Sequence, residues 1–153
     1  MNYIKIYEEF SRKRHNLSGI ILLVEDRMLL VHPRKFKGDD KWSIPKGHVE
    51  GKPLRSALKE LKEETGIRLF TKPEAQYKYK YRKNGVNKVM RIYLYRLEKA
   101  DVQKYLKDGW EIKTSIYDRK EIWKAKFFKL DNVKKRLEGP LKGIMKKFAY
   151  IDV

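Results

Sequence analysis

The order of segments along the 153-residue chain predicts an α+β fold, an α/β/α sandwich with a mixed β-sheet between helices. Three observations lead there. Short, β-rich apolar runs recur between residues 18 and 130; one amphipathic helix interrupts them at 54–65; and basic, helical sequence follows Asp131. No repeat, low-complexity tract or linker divides the chain, and so short a chain ordinarily builds one core. A single domain over 1–153 is therefore expected, with 1–16 as an N-terminal extension and 131–153 as C-terminal basic helices.

The elements follow in order. Residues 18–24 (SGIILLV) form a buried-strand pattern, broken by the polar Glu25-Asp26-Arg27, and 28–32 return as the second arm of a hairpin. Residues 33–41 are a basic loop marked by Gly38, and 42–44 are a brief extended piece stopped by Pro45. Pro53 suits a helix's first turn, and Gly66 suits its left-handed end. Residues 77–82 and 89–97 flank Asn84-Gly85, the strongest short hairpin signal. Residues 100–107 read as a short helix and 121–130 as a further strand, followed by two short basic helices parted by Gly139-Pro140.

Composition narrows the function. There is no cysteine, which removes disulfides, thiol nucleophiles and zinc–thiolate sites. The longest apolar run is too short to span a bilayer, and residues 1–14 are charged throughout, unlike a signal peptide. A soluble protein of the cytoplasm, without a membrane partner, is expected. The net charge of +18 favours anionic partners such as nucleotides, polyphosphates or RNA through long-range attraction and counterion release.

Chemistry concentrates in the helix at 54–65. Leu54, Ala57, Leu58 and Leu61 form its apolar stripe at i, i+3, i+4 and i+7. At roughly 100° per residue, Glu60, Glu63 and Glu64 share one arc of the surface while Arg55, Lys59 and Lys62 point to the opposite flank. The pairs Glu60–Glu63 and Glu60–Glu64 each cost a few tenths of a kcal/mol, roughly, as like-charge neighbours. They also lie toward the negative end of the helix dipole. A divalent cation would convert that repulsion into affinity, since Mg²⁺ prefers hard oxygen ligands and keeps several waters. A solvated acidic face is the plainer alternative.

The segment Gly47-His-Val-Glu50-Gly51, followed by Lys59-Glu60-Leu61-Lys62-Glu63-Glu64-Thr65-Gly66-Ile67, resembles the Nudix box. The family's pattern is Gly, five residues, Glu, seven residues, then Arg-Glu-aliphatic-x-Glu-Glu-x-Gly-aliphatic. Lys59 stands where the pattern has Arg, the spacing from Gly47 to Gly66 is two residues shorter, and Lys52 lies nearest the place of the first Glu. Trp42 and the run Pro45-Lys46-Gly47-His48 further resemble the diadenosine-polyphosphate and diphosphoinositol-phosphate hydrolase branches.

The resemblance implies Mg²⁺- or Mn²⁺-dependent hydrolysis of a phosphoanhydride bond in a nucleoside-diphosphate-linked substrate, with dinucleoside polyphosphates favoured. It implies Glu60, Glu63, Glu64 and the carbonyl of Gly47 as metal ligands, with Glu63 and Glu64 also catalytic. Glu121 is the expected later acidic residue, with Glu111 and Asp118 as rivals. Lys46, His48, Arg34, Lys35, Tyr81 and Arg91 are candidate substrate contacts, with Tyr79 beside them. Removal of pyrophosphate or a cap from RNA 5′ ends, hydrolysis of diphosphoinositol phosphates, and a Nudix-fold module that binds nucleotide or RNA without turnover remain open alternatives.

Overall fold

The computed structural model of the chain describes residues 16–36, 38, 40–113 and 122–137. The described elements run β1 (Asn16–Val24), β2 (Arg27–Pro33), a 3₁₀ turn (Arg34–Phe36), β3 (Lys46–His48), α1 (Pro53–Thr65), β4 (Ala75–Lys83), β5 (Val86–Leu97), α2 (Lys99–Val102), β6 (Ile122–Lys129) and α3 (Leu130–Arg136). The sheet runs β4-β5-β1-β2-β6, with β3 also paired to β1. It is mixed, because β1 and β5 are parallel while the other pairs are antiparallel. Among the described residues no helix is long and apolar enough to cross a membrane.

β1 is central and apolar on both sides, as expected of a strand covered twice. Alternate residues feed two cores. Ile20, Leu22 and Val24 pack with Ala57 and Leu61 of α1, whereas Leu17, Ile21 and Leu23 pack with Trp42, Ile44 and Val133 of α3. A sheet with a helix on each face is the sandwich that the pattern predicts. The expected stripe is graded: Ala57 and Leu61 are fully buried, while Leu54 and Leu58 only border the core. The Asn84-Gly85 turn forms as expected, with both residues at positive φ (52° and 76°), the primed turn that matches strand twist.

One strand was not foreseen. Pro45 ends the 42–44 piece as expected, yet β3 starts at the next residue. The segment first touches β2 through reciprocal Val31–Ser43 backbone bonds of 2.8 and 2.9 Å, then crosses to β1, where Gly47 lies opposite Ser18. Pro45 fits this crossing: its carbonyl accepts from Ile20 N at 3.0 Å, and proline has no N–H to leave unmet. The inserted segment takes up the gap where β1 and β2, paired at Leu23–Met28 and Val24–Arg27, separate toward their far ends.

Trp42 anchors that segment. Its indole meets Phe128 and His32 edge-on at centroid distances of 4.7 and 4.9 Å, and its Nε1 donates to Asp40 at 3.1 Å. Asp40 in turn receives Arg136 of α3 at 2.8 and 2.9 Å. Trp42→Ala is expected to cost about 3–5 kcal/mol of stability, as for other large aromatics removed from a core. A shift in urea midpoint worth less than about 1 kcal/mol would show that the crossing segment does not depend on this ring.

Candidate active site

The buried stripe of α1 fixes its roll, and its roll fixes where the glutamates go. With Leu61 turned into the core, Glu60 is carried over β3 and Glu64 onto the wall of a cleft. Gly66 ends the helix in a left-handed turn at φ 80°, its N–H donating to Lys62 O at 2.8 Å, so the acids lie in the last two turns.

Gly47 is glycine because of space rather than backbone angle. A Cβ placed there would sit 2.6 Å from Glu60 Cγ and nearer still to the Glu60 carboxyl group. The Glu60 side chain therefore lies directly on the β3 backbone. Glu64, one helical turn on, is only 8% exposed. Glu63 is turned outward, its carboxylate 3.8 Å from the Lys59 ammonium and about half exposed (48%).

The short loop from β3 to α1 is closed by a residue that sequence reasoning passed over. Ser56 Oγ donates to Glu50 O at 2.8 Å and accepts from Glu50 N at 2.9 Å, so one buried hydroxyl satisfies both backbone groups of Glu50. The helix begins without a side-chain cap: Lys52 occupies the cap position with Pro53 after it. Ser56 supplies the tie that a capping side chain would otherwise give. The available signal was a serine in the first turn of a helix following a loop shortened by two residues.

A cleft of about 380 Å³ opens beside α1, lined by Val31, Pro33, Arg34, Lys35, Ser43, Ile44, Lys46, Glu64 and Ile122. Residues far apart in sequence meet here because β2 runs into the 3₁₀ turn on one side and the crossing segment bounds the other. Three of the expected substrate contacts, Arg34, Lys35 and Lys46, line the cleft with Glu64. Val31, Ser43, Ile44 and Ile122 join them only through the fold. His48 is exposed and lines a neighbouring depression of about 160 Å³ with Glu50, Ser56, Lys59 and Glu60.

Tyr81 and Arg91 are not brought together. In the β4–β5 register Tyr81 lies opposite Lys88 and Arg91 opposite Lys78, and the two residues fall on opposite faces of the sheet. Tyr79 and Tyr81 stack at 5.7 Å on the α3 side. Burial pushes the Tyr93 phenol's pKa up while the Arg91 charge pulls it back, consistent with Arg91 lying beside Tyr93 on the α1 side. Neither Tyr81 nor Arg91 lines the cleft. The Glu111 carboxylate lies 3.5 Å from the Lys107 ammonium, and its backbone forms an isolated antiparallel bridge with Lys126. Glu121 and Asp118 lie outside the described residues; Ile122, next in the chain after Glu121, lines the cleft.

Among the described residues no three acidic or histidine side chains come together as a ready cation cluster. The donor chemistry nonetheless fits a hard cation: Glu60 and Glu64 stand one turn apart on α1, and Glu60 lies on the Gly47 backbone. Such an ion tolerates few protein ligands if waters complete its shell. Ser56→Ala is expected to lower stability by about 1–3 kcal/mol, because both backbone groups of Glu50 lose their partner, whereas Ser56→Thr retains most of it. Denaturant titration of the two variants reads the difference, and an alanine variant as stable as wild type would show the clamp to be dispensable.

Comparison with known proteins matches this architecture. The family model described as the NUDIX domain matches residues 13–148. The fold resembles a C. elegans Ap4A hydrolase binary complex at 18% identity, covering 89% of this chain and 96% of that one with a TM-score of 0.64. It resembles a NUDIX hydrolase from Nitrosomonas europaea at 16% identity, covering 91% and 90% with a TM-score of 0.66. It also resembles the E. coli dihydroneopterin triphosphate pyrophosphohydrolase at 16% identity, covering 89% and 95% with a TM-score of 0.60. No curated protein matches the chain by sequence. The box carried by β3 and α1, the mixed sheet around it and the family match together establish that the chain belongs to the Nudix family of hydrolases.

Proposed function

We propose that the protein hydrolyses a phosphoanhydride bond in a nucleotide-linked substrate, a dinucleoside polyphosphate above all, with Mg²⁺ or Mn²⁺ as cofactor. The observation that carries this reading is one cavity lined by both kinds of charge, the cations Arg34, Lys35 and Lys46 and the carboxylate of Glu64. Three cations and a carboxylate in one cleft suit a phosphate chain whose charge must be neutralised while a carboxylate-held divalent ion would assist at the reacting phosphorus. The likeness to a protein named as an Ap4A hydrolase adds weight to the dinucleoside class, as does the Trp42 and Pro45–His48 context.

In this reading Glu60, Glu64 and the Gly47 carbonyl hold the ion, and Glu63 serves as a further ligand or as the base. The chemistry such an ion supplies is a lowered pKa for a bound water and neutralisation of charge on the phosphate oxygens. Lys46, beside Gly47, and Arg34 and Lys35, across the cleft, hold the phosphate chain in line with the attacking water. Water adds to phosphorus, the anhydride oxygen leaves with a nucleoside phosphate, and the proton passes to a carboxylate. Glu121 is proposed as the later acidic contributor in preference to Glu111, whose carboxylate lies by Lys107.

A hydrolysis panel tests the proposal: diadenosine polyphosphates, nucleoside triphosphates, ADP-ribose, diphosphoinositol phosphates and 5′-triphosphorylated or capped RNA, each with Mg²⁺ or Mn²⁺. Diadenosine tetraphosphate is expected to be cleaved, and EDTA to stop it. Glu64→Gln is expected to lower kcat by about a hundredfold or more with melting unchanged. Equal rates in wild type and variant would remove Glu64 from the mechanism. Nucleotide binding with no turnover of any substrate would make the protein a binding module.

A further inference from the structure

The β4–β5 hairpin carries a second basic surface apart from the cleft. Between Ala75 and Arg91 stand Lys78, Lys80, Arg82, Lys83, Lys88 and Arg91, with no Asp or Glu among them. Lys78, Lys80 and Arg82 are exposed and alternate along β4, spaced by roughly 6.8 Å per pair of residues. None of the six forms an ion pair with a described residue. Around the turn a shallow depression of about 600 Å³ is lined by Lys80, Tyr81, Arg82, Asn87, Lys88 and Val89.

Lysines on an edge strand also block sheet-to-sheet pairing, and β4 is an edge. That role covers Lys78 and Lys80. It leaves Arg91 unexplained, because there β5 is paired on both sides, with Lys78 and with Ser18. On the α1 face Lys78 pairs with Arg91, Arg91 with Ser18 and Ser18 with Gly47. Three strand spacings put Lys78 within about 14 Å of Gly47, although the row between them is interior, with Ser18 fully buried.

We infer that the β4–β5 hairpin binds single-stranded RNA. Regularly spaced cations along an extended strand meet successive backbone phosphates, and Asn87, opposite Arg82 on the same face, offers its amide to a base. A mononucleotide has too few phosphates to span this ladder; a chain of nucleotides can. The inference does not rest on the hydrolase reading, since it concerns binding of RNA with no cleavable anhydride.

The test is fluorescence anisotropy of a labelled oligouridylate with a 5′-hydroxyl end, titrated over a range of salt with wild type and with the triple variant Lys78→Ala, Lys80→Ala, Arg82→Ala. The variant is expected to bind at least about tenfold more weakly, and its slope of log affinity against log salt to be shallower by about 2, near 0.7 for each lost contact. Hydrolysis of diadenosine tetraphosphate is expected to be unchanged in the variant, so a failure at the hairpin is distinguishable from a failure at the cleft. A variant with the wild-type slope overturns the inference. So does inorganic polyphosphate of equal charge displacing the probe as well as unlabelled RNA does, which would make the surface a general anion sink.

Discussion

The site depends on one close approach, that of Glu60 onto the backbone of Gly47. A helix side chain lies on a strand this way when the strand residue has no Cβ; a Cβ at Gly47 would come within 2.6 Å of Glu60 Cγ and push the Glu60 side chain off the strand. It also requires α1 to be held at a fixed roll and β3 at a fixed height. Burial of Ala57 and Leu61 supplies the first, and the Ser56–Glu50 clamp supplies the second. The cleft inherits both, because Lys46 is the β3 residue beside Gly47 and Glu64 is one turn beyond Glu60.

Electrostatics is arranged around that contact at some expense to the helix. Three glutamates share the last two turns of α1, where the helix dipole disfavours them, and among the described residues Lys59 alone pairs with Glu63. The penalties are each a few tenths of a kcal/mol, roughly, small against the several kcal/mol of a buried aromatic or aliphatic anchor. Core packing therefore decides the fold, and the helix carries its acidic face at small cost. Opposite it, the surplus of lysine and arginine gives the cleft its cationic wall and the β4–β5 hairpin its ladder.

How much of this was legible follows from the range of the forces. Helix α1, its Pro53 start and Gly66 end were readable because their signals are local, and the Asn84-Gly85 hairpin for the same reason. The glutamate arc and the grouping of Arg34, Lys35 and Lys46 near the box were also within reach of the sequence. β3 was not: three residues carry no period of their own, and the strand exists only through its pairing with β1. The role of Ser56 depends on a loop shortened by two residues, and the cleft's Val31, Ser43, Ile44 and Ile122 converge from separate elements. Tyr81 and Arg91 seemed alike in sequence, yet a strand's alternation and the hairpin register send them to opposite faces.

In the proposed mechanism Glu60, Glu64 and Gly47 form one cation site facing the cleft of Arg34, Lys35 and Lys46. A crystal of the protein soaked with Mn²⁺ and a non-hydrolysable dinucleoside polyphosphate, phased on manganese anomalous scattering, tests it most directly. The account predicts an anomalous peak ligated by Glu60, Glu64 and the Gly47 carbonyl, with the phosphate chain running from it toward Lys46 and Arg34. A peak elsewhere, or phosphates bound away from that cleft, would contradict it.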